Sequence, residues 1–61
     1  MNVECELNIY DNELDILKNS KLIVKNHWNY GKIVKLSIGG QNIYVNGYEL
    51  QDAIDKCLNV K

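Results

Sequence analysis

Residues 32–46 read Lys32-Ile-Val-Lys-Leu-Ser-Ile-Gly-Gly-Gln-Asn-Ile-Tyr-Val-Asn46, and this stretch decides the fold. Two short runs of alternating apolar and polar residues flank the pair Gly39-Gly40. Period-2 alternation is the signature of a strand with one face covered, and two glycines between such runs mark a tight hairpin turn. A two-residue loop also fixes the register. It places Val34 opposite Val45 and Leu36 opposite Ile43, with Lys35 opposite Tyr44 and Ser37 opposite Asn42. The apolar pairs share one face and the polar pairs the other, so turn chemistry and hydrophobic pattern agree.

Downstream, Asn46 can cap a helix, and Glu49 stands three residues on, as in the second half of a capping box. Leu50, Ala53, Ile54, Cys57 and Leu58 then recur at helical spacing and form one apolar stripe. Upstream, Asn29-Tyr30-Gly31 reads as a turn, and residues 21–28 as a strand. Residues 2–10 alternate, with Val3, Cys5, Leu7 and Ile9 on one side and Glu4, Glu6, Asn8 and Tyr10 on the other. That is another strand with one face covered.

Residues 11–19 admit two readings. Asp11 can cap a short helix with acids in its first turns and Lys18 near its end, which suits the helix dipole. Alternatively, Asp11-Asn12 is a two-residue hairpin turn that places Ile9 opposite Leu14. Intrinsic propensity favours the helix. The expected fold is therefore α+β, a small antiparallel sheet of about four strands packed on one C-terminal helix, in the order β-(α)-β-β-β-α. The helix is expected to cover Val34, Leu36, Ile43 and Val45 together with Val3, Leu7 and Ile9.

The bulk composition narrows the function. The chain has 61 residues, 46% of them hydrophobic and 25% charged, with no proline. One small domain spanning residues 1–61 is expected, with little room for a buried catalytic cleft, since a chain this short buries only about 60% of its unfolded surface. Seven Lys and no Arg stand against eight acids, for a net charge of -1. A phosphate-neutralising protein needs a basic excess, and base reading favours Arg, so nucleic acid is a disfavoured partner. The start of the sequence lacks the cationic and apolar pattern of a signal peptide, and no apolar run reaches the roughly 18 residues of a membrane span. A cytoplasmic protein without membrane contact is expected, in a bacterium or an infected host cell. Its Cys5 and Cys57 would then be free thiols, packed as small hydrophobes.

No catalytic or metal constellation stands out. His27 has no partners at ligand spacing, the thiols fall on apolar faces, and Gly39-Gly40 lacks the Lys-Ser/Thr and helix of a phosphate loop. The pairs Glu4/Glu6, Glu13/Asp15 and Asp52/Asp55 read as solvated faces rather than acid–base machinery. No cofactor is implied. His27-Trp28-Asn29-Tyr30 is the one dense group of polar aromatics, and such residues either close the end of a core or anchor an interface. The second sheet face carries Lys35 and Tyr44 with Ile33, more apolar character than a wholly solvated face needs.

Trp28, Tyr30, Tyr44, Ile33, Lys35 and His27 are accordingly the candidate partner-binding residues. The expected function is a non-enzymatic protein-interaction module with a protein partner, itself a homodimer. The alternative is a small nucleotide or single-stranded nucleic-acid binding module that uses Lys35, Tyr44 and Tyr30 on the sheet face. Asn, Ile, Lys and Tyr are abundant, as in AT-rich genomes. Together with small size and no catalytic group, this is loosely similar to phage and mobile-element accessory proteins, which bind and modulate a host enzyme or defence complex.

Overall fold

The computed structural model describes residues 2–60. Strands β1 (Glu4–Tyr10), β2 (Ile16–Asn26), β3 (Ile33–Ile38) and β4 (Gln41–Asn46) are followed by helix α1 (Gly47–Leu58). The strands form one antiparallel meander in the order β1-β2-β3-β4. The fold is thus a small α+β unit.

The β3–β4 hairpin has the register its turn dictates. Val34 pairs with Val45, Lys35 with Tyr44, Leu36 with Ile43 and Ser37 with Asn42. Gly39 and Gly40 adopt φ of 56° and 81°, a left-handed pair that only glycine and a few polar residues take without strain.

The helix expected within residues 11–19 is absent; β1 and β2 join there directly as a hairpin. Asp11 does cap, but it caps a turn. Its Oδ1 accepts from the amides of Glu13 and Asp15 at 2.9 and 3.0 Å, while its backbone oxygen accepts from Leu14 N–H at 3.0 Å. The Asp11 amide then donates to Asp15 O at 2.9 Å. This is a three-residue loop closed by a left-handed residue, a common hairpin connection. The pairing also differs from the hairpin alternative drawn from sequence, because Leu7 pairs with Leu22 and Tyr10 with Ile16 across an irregularity between Asn8 and Tyr10. β2 therefore begins at Ile16, earlier than its pattern suggests, and ends at Asn26.

Leu14 occupies the left-handed position with φ of 66° and is 79% exposed. A β-carbon there meets the following carbonyl and costs about 1–2 kcal/mol, with little burial in return. Leu14→Asn is expected to raise stability by about 0.5–1 kcal/mol, since Asn tolerates this conformation. Thermal melts of the two proteins at equal concentration check it, and an unchanged or lower midpoint refutes it.

Alternation gives the sheet two chemically distinct faces. On one face, Cys5, Val24, Leu36 and Ile43 form a row across all four strands, flanked by Leu7 and Leu22 on one side and by Val34 and Val45 on the other. The opposite face carries the row Glu4, Lys25, Lys35, Tyr44 and the row Glu6, Ile23, Ser37, Asn42.

α1 starts without a loop. Asn46 ends β4 and caps the helix at once, its Oδ1 accepting from the Tyr48 and Glu49 amides at 2.9 and 3.1 Å. Such a cap is worth about 1 kcal/mol. Gly47 lies so close to β3 that a β-carbon there would come within 3.3 Å of Val34 Cγ1, and its amide donates to Lys32 O at 2.7 Å. The first turns of α1 thus lean on the apolar face, with Leu50 half-buried.

The rest of that face stays open, which corrects the expected closed sheet–helix core. No described residue is fully buried. Ile43 is 57% and Leu7 49% exposed, and Ala53, Ile54, Cys57 and Leu58 of the helix stripe are exposed as well. Cys5 and Cys57 are exposed free thiols rather than packed ones. A single 12-residue helix anchored at one corner does not span four strands.

Candidate functional site

The residues singled out in the sequence converge on the polar face and the loop beside it. His27 follows β2 directly, and its amide donates to Ile33 O at 3.2 Å, closing the loop onto the start of β3. Within the loop, the Ile33 amide donates to Tyr30 O at 3.2 Å. The His27 ring organises the turn. Its Nδ1 accepts from the amides of Asn29 and Tyr30 at 3.0 and 3.1 Å, so the neutral ring carries its proton on Nε2.

Three aromatic rings surround that imidazole. Trp28 stacks on it with centroids 5.9 Å apart and planes at 21°, and Tyr30 lies 5.0 Å away at 48°. Tyr44 meets it edge-on from β4 at 5.8 Å and 65°. Such ring pairs add about 0.5–1.5 kcal/mol each beyond their area, so the cluster is braced rather than loosely displayed. Trp28 is nevertheless 84% exposed, so it does not close the end of a core. Tyr30 and Tyr44 are also exposed. The four rings make a ridge with the imidazole at its centre.

Lys35 pairs with Tyr44 in the strand register and flanks the ridge. Ile33, half-buried, shares its face and supplies the loop-closing backbone bonds, so it supports the ridge more than it presents itself. Next to Lys35 stands Lys25, whose Nζ lies 3.7 Å from Glu4 Oε1. The pair is solvent-exposed and adds little stability. Further along the same face, the Lys21 ammonium donates to Asn8 Oδ1 and Ser37 Oγ to Asn42 Oδ1. The face is therefore mixed in charge, with its aromatic character gathered at one corner.

Among the described residues, no three His, Cys, Asp or Glu side chains gather as a metal site. Among the described residues, no helix is long and apolar enough to cross a membrane. The sequence reading missed one feature, a cleft of about 200 Å³ between α1 and the sheet, lined by Val24, Val34, Gly47, Leu50, Gln51 and Ile54. Val24, Val34, Leu50 and Ile54 carry the pattern of a core, and no periodicity distinguishes a filled core from a gaping one. Comparison with known protein families, curated proteins and solved structures returns no match to this chain.

Proposed function

We propose that this chain is a non-enzymatic protein-interaction module whose contact surface is the ridge of Trp28, Tyr30 and Tyr44 around His27, flanked by Lys35. The observation that carries the reading is a tryptophan 84% exposed yet held by ring stacking on His27. Leaving an indole in water forgoes a large apolar burial, and fixing it in place beforehand removes much of the ordering cost of binding. Braced aromatic residues with polar tips are the usual anchors of protein interfaces. A host enzyme or defence complex is the kind of protein partner that the size and composition suggest.

The neighbouring row Lys25, Lys35 and Tyr44 supports a second reading, stacking of a nucleotide or single-stranded nucleic acid on the same ridge. Glu4 beside Lys25, and Glu6 on the same face, work against a polyanion.

The test is partner capture by immobilised protein, with Trp28→Ala as the decisive variant. Trp28 is exposed and its removal leaves the sheet intact, so a loss reports on binding. Affinity is expected to fall by at least about 2 kcal/mol, roughly 30-fold. Unchanged capture by Trp28→Ala and Tyr44→Ala together refutes the ridge. Binding to single strands that weakens steeply with salt would transfer the ridge to the second reading.

A further inference from the structure

We infer that the apolar sheet face, on the opposite side from the aromatic ridge, is closed by a second copy of this chain, so that the folded unit is a two-fold homodimer. The area argues for it. The chain exposes 5561 Å², whereas a compact folded monomer of 7.0 kDa exposes about 4,000 Å². The excess of about 1,500 Å² per chain lies in the range that a permanent homodimer buries on each partner, and well above the roughly 800 Å² of a standard interface. Shape says the same. The radius of gyration is 13.1 Å, against about 10.5 Å for a compact domain of this length, and one dimension of the molecule is only 17 Å.

The chemistry of the face selects the occupant. Its central row, Cys5, Val24, Leu36 and Ile43, crosses the whole sheet without a charge or a strong hydrogen-bonding side chain. An identical row brings no charge to repel it, and a two-fold interface is by necessity one patch meeting itself. A foreign partner would leave a chain in which no described residue is buried unfolded until that partner arrived. A second copy is present whenever the chain is made. The open cleft beside Leu50 and Ile54 then becomes the slot into which apolar side chains of the other copy pack. The aromatic ridges are left free, one on each outer surface.

Sedimentation equilibrium over a wide concentration range, with circular dichroism on the same samples, tests the proposal on the full chain. A folded species of twice the 7.0 kDa chain mass is expected. Ile43→Lys, which puts an ammonium in the central row, is expected to weaken the dimer by more than about 100-fold. Tyr44→Lys, the adjacent residue on the ridge face, is expected to leave the dimer unchanged. Thiol labelling keeps the proposal testable if Ile43→Lys fails to fold. In the wild-type dimer Cys5 is covered and labels slowly, and dilution towards monomer restores fast labelling. A folded monomer at every concentration overturns the inference, and so does an unfolded monomer that folds only with another protein. A dimer that Tyr44→Lys breaks while Cys5 stays fast also overturns it, because the seam would then be the other face.

Discussion

Leu36→Asp is expected to abolish cooperative folding. Leu36 lies at the middle of the apolar face, paired with Val24 on one side and Ile43 on the other, and is half-buried within the single chain. A carboxylate there has no cation in register. The rows on either side of it contain none, because Lys25 and Lys35 point to the opposite face. Leaving a charge unpaired in a closed interface costs about 3–5 kcal/mol, while a 61-residue chain has only about 3–9 kcal/mol of stability in all. Added to the about 1.5–3 kcal/mol lost with the leucine's own burial in a closed face, this consumes most or all of the margin.

If the face stayed open to water, the same carboxylate would remain hydrated and remove only the half-burial of one leucine, about 1–2 kcal/mol. The size of the loss thus reports whether the face is covered. Asn42→Asp is the matched control. It adds the same charge on the opposite face and keeps an acceptor for the Ser37 hydroxyl, so its effect should stay within about 0.5 kcal/mol. Urea melts followed by circular dichroism separate the outcomes. A cooperative Leu36→Asp transition within about 2 kcal/mol of wild type would refute a closed face.

The parts of the fold that were legible in the sequence are those in which two independent signals agree. At residues 32–46, turn residues and alternation point to one register, and the chain adopts it. At Asn46, a capping side chain precedes a helical stripe, and the helix starts there. Residues 11–15 failed because the usual marker was missing. A three-residue hairpin loop announces itself by glycine at its left-handed position, and here that position holds Leu14. Asp11, whose side chain accepts amide hydrogens equally well at a helix start and in a turn, then favoured the wrong alternative.

Whether the core closes was not legible for a different reason. Periodicity says which residues want burial and nothing about whether one chain supplies enough surface to bury them. The stripe Leu50, Ala53, Ile54, Cys57 and Leu58 has the right spacing, yet only Leu50 becomes half-buried. Of the candidate site, the clustering of Trp28 and Tyr30 follows from adjacency in sequence. Tyr44 joins them through the β3–β4 register and the position of His27 at the end of β2. The role of His27 as acceptor for two loop amides is a matter of rotamer and turn geometry, which no spacing encodes.

Replacing both turn glycines, Gly39→Val with Gly40→Val, is expected to destabilise the protein by roughly 2–4 kcal/mol, about 1–2 kcal/mol for each left-handed position. Beyond each glycine's own chain neighbours, no heavy atom lies within 4 Å of where a β-carbon would stand, so the penalty is chiefly that of the backbone. Gly39→Asn separates the two causes. It adds a side chain of comparable bulk that tolerates φ of 56°, and it creates the Asn-Gly sequence favoured in such turns, so stability should hold or rise by up to about 1 kcal/mol. A loss as large as that of valine would mean that the loop senses bulk rather than dihedral angle. The consequence extends to the aromatic ridge. This turn pins the register that places Tyr44 beside Lys35 and 5.8 Å from His27, and a slip of one residue would turn Tyr44 to the apolar face and Ile43 to the ridge. In the double valine variant, the fluorescence of Trp28, the sole tryptophan, should therefore shift at denaturant concentrations where the wild type and Gly39→Asn remain unchanged.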